Sequence, residues 1–290
     1  MLKKIIHWLL IIAMSGLLAI AIYTTVSSTG NLELKITPPP EIITAPIALT
    51  SPKAVGKTEM LNVVVRLKHL AGLGSGVLIY RERTVRNIRY VYYVITNEHV
   101  VASRFATKLN VDGARKLYGM VLADPGVTIR VFSNAVTEWK EYDGEVIAES
   151  PENDLALIKF QTSDYLPNIT MLTDTEAVSQ TEIFDSVYAV GCQLGELSIP
   201  TEGIVSGFIF QNNLMLIIHT AHVLPGSSGG GLFKKHDGQY HLIGLPSAIR
   251  RYNFQLIPHY SYAVSAEMIY RFLHENDMSF IYENGMVNEV

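Results

Sequence analysis

Three side chains in this 290-residue sequence are of the types that together turn a hydroxyl group into a nucleophile. His99 lies in VITNEHVV, Asp154 in NDLALIKF and Ser228 in PGSSGGGLF. A serine hydroxyl attacks poorly until an imidazole takes its proton, and a carboxylate must hold that imidazole in position. Each of the three is predicted to lie where a strand meets a loop, where a rigid scaffold can present a side chain to a cleft.

The elements that must position these residues are predicted to be short β-strands in two groups, because β-branched and aromatic residues recur between turn signals with little helical periodicity. The first group comprises LNVVVRL (61–67), SGVLIY (75–80), RYVYYVIT (89–96), VTIRVF (127–132) and LALIKF (155–160). The second comprises VYAVG (187–191), GIVSGFIF (203–210), LMLIIHT (214–220), GGLF (230–233), YHLIGLPSAI (240–249) and YSYAV (260–264). The pattern predicts an antiparallel all-β body made of two small barrels or sheets.

One helix is predicted in this body. The segment SAEMIYRFLHEN, 265–276, begins with Ser265 as a plausible N-cap and places its apolar residues on one face. We expect this C-terminal helix to pack onto the strands.

The N-terminus carries a second kind of signal. Lys3 and Lys4 precede an uncharged apolar run of 22 residues, 5–26, whose helical length of about 33 Å would cross a hydrocarbon core of about 30 Å. The lysines place the N-terminus in the cytoplasm and the remaining chain outside it. The alternative is a signal peptide cleaved near Ala21, which would release a soluble exported form. The proline-rich stretch 27–56 is predicted to be an extended linker.

Composition excludes several other classes of function. The formal net charge of −4 gives no general attraction to nucleic acid. No metal-spaced cluster, phosphate-binding loop or dinucleotide fingerprint is present, so neither a metal nor a cofactor is predicted. Cys192 is the single cysteine, so no intrachain disulfide can form, and we interpret it as a core or loop residue.

The three motifs around His99, Asp154 and Ser228 resemble those of trypsin-like serine proteases in sequence and in order. The tracts GSGVLI before the histidine and GIVSG before the serine make the HtrA/Deg group the most similar within that family. The resemblance spans about residues 60–265. It implies two β-barrels with the catalytic triad in the cleft between them. His99 would be the general base, Asp154 its orienting partner and Ser228 the nucleophile, forming an acyl-enzyme.

The same resemblance separates the two adjacent serines. Ser227 takes a variable position of the family motif, whereas Ser228 takes that of the nucleophile. The backbone N–H groups of Gly226 and Ser228 would form the oxyanion hole, which binds the charge that develops on the attacked carbonyl. A flexible glycine and serine turn is the structural alternative. GSSGG also fits the nucleophile elbow of α/β-hydrolases, but that fold requires crossover helices that are not predicted.

The substrate pocket is predicted from the neighbouring segments. His222 precedes the serine loop, where the family builds its specificity pocket, and could contact an acidic or polar side chain of the substrate. The alternative, which we favour, is a partly buried imidazole whose hydrogen bonds are satisfied within the protein. Leu245, Pro246 and Ser247 correspond to the family's substrate-pairing strand and would shape an apolar pocket for a small or medium aliphatic residue.

The domain prediction places an anchor or signal sequence at 1–26 and a protease domain at 57–290. The first barrel covers about 57–165, the second about 180–265, and the helix 265–276. HtrA proteases usually carry a PDZ domain after the protease domain, and the sequence after Ser228 is too short for one. The predicted function is a membrane-anchored serine endopeptidase acting on polypeptides in the periplasm, in protein quality control as the resemblance implies. The alternative is a catalytically silent module that binds peptides or partners.

Overall fold

The structure, a computed structural model, describes the chain from residue 56 to residue 286 with internal gaps. The described residues are 56–69, 72–84, 89–102, 126–134, 136–170, 172, 178–211, 213–253 and 255–286. The predicted membrane segment 5–26 and the linker up to residue 55 lie outside this part of the chain. Among the described residues, the structure contains no helix with the length and apolar character needed to span a bilayer.

Six antiparallel strands close into a first barrel in the order β1-β2-β3-β6-β5-β4. They are β1 (Val64–His69), β2 (Gly72–Thr84), β3 (Arg89–Thr96), β4 (Val127–Ser133), β5 (Glu138–Ser150) and β6 (Leu155–Thr162). The ring closes where β1 pairs with β4 through Arg66, Leu67 and Lys68. Closure leaves the sheet without an unpaired edge.

Six further strands close into a second barrel in the order β10-β11-β12-β9-β8-β7. They are β7 (Ser186–Gly191), β8 (Ile199–Gln211), β9 (Leu214–His219), β10 (Gly231–His236), β11 (Gln239–Tyr252) and β12 (Gln255–Ser265). Numbered from its own first strand, this ring has the strand order of the first barrel. The prediction of an all-β body is confirmed.

Four short helices accompany the barrels in the described part of the chain. They are α1 (Glu59–Val63), α2 (Glu98–Val101), α3 (Ala266–Glu275) and α4 (Phe280–Met286). The segment 61–67, predicted as a strand, begins inside α1 and becomes β1 only at Val64. α3 buries Met268, Ile269, Phe272 and Leu273.

Three apolar clusters form the core. One fills the first barrel, including Leu67, Tyr92 and Ile158, and one fills the second, including Val205 and Ile243. The third joins residues of both barrels with α3, and among its members are Ile95, Leu157, Leu245, Val264 and Phe272. Because burying such a side chain stabilises the fold by roughly 1.5–3 kcal/mol, the shared cluster fixes the two barrels against each other and thereby defines the cleft between them.

One buried histidine makes the stability of the second barrel depend on pH. His219 at the end of β9 is fully buried, and desolvation lowers its pKa to about 4. Between pH 4 and its ordinary pKa of about 6.5 the unfolded chain therefore binds the extra proton, so stability rises with pH across this window. We expect His219 to contribute about 2 kcal/mol of additional stability at pH 7 relative to pH 5, measured by urea unfolding.

The matched variant is His219→Leu, which replaces the titrating imidazole with an apolar side chain of similar size. Subtracting its unfolding free energies from those of the unaltered chain isolates the histidine from all other titrations. Equal pH dependence in the two proteins would contradict the prediction.

Candidate active site

His99 and Asp154 form a close pair in the first barrel. His99 lies on α2, the single helical turn that follows β3, and Asp154 ends the turn between β5 and β6. His99 Nδ1 lies 2.8 Å from Asp154 Oδ1 and 3.0 Å from Oδ2, and the His99 backbone N–H also donates to Oδ1 at 3.1 Å. A carboxylate at Nδ1 favours the tautomer with its proton on that nitrogen, which leaves Nε2 able to accept a proton.

Asp154 is held by groups outside the histidine as well. The Asn97 side-chain amide donates to its backbone carbonyl at 2.9 Å, and the Ser247 hydroxyl donates to Oδ2 at 2.5 Å. Its backbone is left-handed, with φ 51°, a conformation that aspartate tolerates better than most residues. Asp154 is thus held at its backbone by Asn97 of the first barrel and at its carboxylate by Ser247 of the second.

Ser228 belongs to the loop between β9 and β10 and is half-buried at the cleft. Its hydroxyl donates to the Ser247 carbonyl at 3.4 Å, a long hydrogen bond. Among the described residues, no hydrogen bond joins this hydroxyl to His99. A hydrogen bond from the Ser228 hydroxyl to the imidazole would therefore require this hydroxyl to leave the Ser247 carbonyl.

The loop before Ser228 orients its peptide groups in a defined way. The Ser227 N–H donates to the Leu224 carbonyl at 3.0 Å, closing a turn in which Gly226 has φ 98°. The Pro225 carbonyl accepts from the Leu194 N–H at 2.7 Å. Within the described part of the chain, the N–H groups of Gly226 and Ser228 donate to no protein acceptor. The N–H groups of Gly226 and Ser228 therefore lie on either side of the bonded Ser227 N–H, and both are available to bind an anion.

Comparison with known proteins identifies the family to which this chain belongs. The model of the trypsin-like peptidase domain matches residues 74–245, more than half of the chain. The chain belongs to the trypsin-like peptidase family.

Curated relatives of this trypsin-like chain include the periplasmic serine endoprotease DegP from Escherichia coli (strain K12), 28% identical over 182 residues. The match covers 61% of this chain and 30% of that protein. DegP from Salmonella typhimurium is 29% identical with the same coverage. The chain thus spans about a third of the length of the curated relatives it matches. The resemblance to the HtrA/Deg group is confirmed.

Solved structures agree with the trypsin-like fold. The HtrA-type protease AlgW with tripeptide superposes with a TM-score of 0.54 at 21% identity, covering 77% of this chain and 62% of that one. Deg5 superposes with a TM-score of 0.53 at 22% identity, covering 74% and 88%.

A residue that sequence reasoning missed connects the trypsin-like site across the two barrels. Ser75 on β2 is fully buried, and its hydroxyl donates to the Gly226 carbonyl at 2.7 Å while accepting from the Cys192 N–H at 2.8 Å. Its own N–H donates to the Ser228 carbonyl at 2.8 Å. The only sequence signal is a serine between two glycines in GSGVLI. Ser75 therefore positions the loop that carries Ser228.

Replacing Ser75 by alanine is expected to destabilise this loop. The Cys192 N–H and the Gly226 carbonyl would lose their shared partner in a buried place, which costs about 2 kcal/mol of unfolding free energy. We also expect kcat/KM for a peptide substrate to fall about tenfold through kcat, because the loop carrying the predicted oxyanion donors, Gly226 and Ser228, loses its support. Urea unfolding and steady-state kinetics measure the two effects.

The matched control is Ser133→Ala at the exposed end of β4. It should change neither the free energy of unfolding nor kcat/KM. A Ser75→Ala protein with native stability and kcat would show that the two contacts of the Ser75 hydroxyl do not support the loop.

The cavity beside Ser228 has a volume of about 280 Å³, and two of the four predicted pocket residues line it. These are Pro246 and Ser247, and the Ser247 hydroxyl also donates to Asp154. Leu245 is fully buried in the core shared by both barrels. His222 is exposed outside the lining, with its ring 6.2 Å from that of His259.

The single cysteine is inert in this setting. Cys192 is fully buried, and burial raises the pKa of its thiol to about 12. The thiol therefore stays protonated at neutral pH, and a protonated thiol is not a nucleophile.

Proposed function

We propose that this chain is a serine endopeptidase that hydrolyses polypeptides through Ser228, His99 and Asp154. His99 Nε2 takes the proton of the Ser228 hydroxyl as Oγ forms a bond to the scissile carbonyl carbon. The carbonyl electron pair moves onto oxygen, where the N–H groups of Gly226 and Ser228 bind it. Asp154 keeps the proton of Nδ1 in place and stabilises the imidazolium that forms.

The second half of the proposed reaction restores the enzyme. The tetrahedral species collapses, the peptide C–N bond breaks, and His99 gives its proton to the leaving amine. Water then attacks the Ser228 ester with His99 again as base, and the acid product leaves. The observation that carries the proposal is the His99 Nδ1 contact with Asp154 at 2.8 Å, which directs Nε2 away from the carboxylate. The unbonded N–H pair at Gly226 and Ser228 supports it.

The experiment is covalent labelling of the full chain with a fluorophosphonate probe, which reacts with activated serines. We expect one label per chain, located on Ser228 by peptide mapping. A folded chain that takes no label would contradict the proposal and leave the peptide-binding alternative.

We further propose that residues 5–26 anchor the chain in the cytoplasmic membrane and that the protease domain, 57–290, acts in the periplasm on polypeptides during protein quality control. The periplasmic relatives and the apolar N-terminal run support this location. Membrane fractions washed with alkaline carbonate should retain the full chain. Complete release of a chain cut near Ala21 would favour the signal-peptide alternative.

A further inference from the structure

The cavity beside Ser228 is apolar along its walls. One side is formed by the segment before the active serine and the other by β11 and the start of β12. Its apolar lining residues are Val223, Leu224, Pro225, Pro246, Ala248, Ile249 and Leu256. Ser227, Ser228 and Ser247 complete the end nearest the proposed nucleophile. A side chain that enters here therefore contacts mostly apolar residues.

Arg251 is the one charged residue in the lining formed by the described residues. It pairs with Leu256 across the β11 and β12 hairpin. Directly opposed residues of antiparallel strands project from the same face, so both side chains face the cavity. Arg251 lies four residues after Ser247, at most about 13 Å along the strand. Among the β11 residues of the lining, Arg251 is thus the one furthest along the strand from Ser247, which defines the remote end of the cavity.

The guanidinium of Arg251 lacks an acidic partner within the described part of the chain. Three other arginines of the described part have acidic partners: Arg66 and Arg130 contact Glu141, and Arg271 lies 3.7 Å from Glu275. An unpaired guanidinium beside an apolar cavity is suited to a carboxylate, because its planar donors match two carboxylate oxygens and the apolar walls strengthen the attraction.

We propose that Arg251 makes this cavity select an acidic side chain, glutamate above all, at the residue whose carbonyl Ser228 attacks. The inference rests on the proposed function and names its substrate class. Glutamate fits better than aspartate because its carboxylate extends further toward the remote end of the cavity. The neutral isostere glutamine retains the apolar contacts but loses the ion pair, and a lysine side chain is repelled.

The test uses the full chain carrying Ser228→Ala, so that binding is measured without turnover. Two fluorescein-labelled octapeptides differ only in a central glutamate or glutamine, and fluorescence anisotropy at pH 7.5 gives both dissociation constants. We expect the glutamate peptide to bind about tenfold more tightly, since a bidentate charged hydrogen bond replaces a neutral one. This preference should decrease as ionic strength rises, because Arg251 is partly open to solvent.

Arg251→Gln should reduce the ratio of the two dissociation constants to about one. Arg250→Gln is the matched control, because the neighbouring arginine is equally exposed but absent from the cavity lining, and it should keep the tenfold preference. Arg251→Glu should instead favour a lysine peptide over the glutamine peptide. Circular dichroism establishes that each variant is folded.

Three results would overturn the inference: equal binding of the two peptides, no binding of either at millimolar concentration, or equal loss of preference in the Arg250 and Arg251 variants. Fluorophosphonate labelling of the chain with Ser228 intact distinguishes a failure of this inference from a failure of the proposed function. A labelled chain without acidic preference contradicts only the role of Arg251.

Discussion

Ser228→Ala is expected to abolish peptide hydrolysis, with a loss in kcat on the order of 10⁶-fold. The hydroxyl oxygen is the atom proposed to form the acyl bond, and the cavity wall holds two other serine hydroxyls, those of Ser227 and Ser247. The Ser247 hydroxyl donates to Asp154. Ser227 is buried, and its Oγ accepts from the Leu224 N–H at 3.4 Å. Steady-state kinetics on a fluorogenic peptide and fluorophosphonate labelling measure the loss.

Ser227→Ala is the matched control, since it removes the neighbouring hydroxyl from the same loop. Its Oγ makes only one long hydrogen bond, so kcat should stay within a few-fold of that of the unaltered chain. If Ser227→Ala abolished labelling while Ser228→Ala kept it, the assignment of the nucleophile would be wrong.

Asp154→Asn is expected to lower kcat by about 10⁴-fold with little change in KM. The carboxylate accepts from His99 Nδ1, from the His99 backbone N–H and from the Ser247 hydroxyl. An amide has one oxygen for these donors and turns its NH2 group toward another, which favours the wrong imidazole tautomer. Because Asp154 does not line the cavity, peptide binding should be preserved.

Asp164→Asn is the control for this substitution. Asp164 also accepts hydrogen bonds, from Lys140 and Tyr142, but it lies on the first barrel apart from the cleft. Its loss should leave kcat unchanged. An Asp154→Asn protein that retained a tenth of the native kcat would show that the carboxylate does not orient the base.

Much of the framework was predictable because its signals are local. The run LALIKF corresponds to most of β6, and the segment after Ser265 forms α3. β5 was missed because EWKEYDGEVIAES is largely polar and exposed. Its strand state comes from pairing with β4 and β6, and local sequence does not encode such long-range pairing.

The residues of the site show the same difference between local signals and long-range contacts. The motifs around His99, Asp154 and Ser228 are contiguous stretches of sequence, whereas the partners of Ser75 lie 117 and 151 residues away. The register shift between Pro246 and Ala248 changes which β11 side chains reach the cavity. Such a bulge depends on the paired strand, so local sequence does not reveal that Leu245 is buried in the core shared by both barrels. Arg251 lines the cavity together with Leu256, its partner on β12, and the local sequence does not reveal this pairing.

The contacts of Ser247 and Ser75 also determine when the site can exist during synthesis. His99 and Asp154 are made well before Ser228, and Ser247 follows later still. A chain that has emerged only through the first barrel has its imidazole and carboxylate but no nucleophile, and Ser75 has no loop to hold. Because Ser247 must reach back to Asp154, the complete site forms only once β11 has joined the second barrel. The order of the residues along the chain thus means that the proposed site is assembled only after β11 has been synthesised and has joined the second barrel.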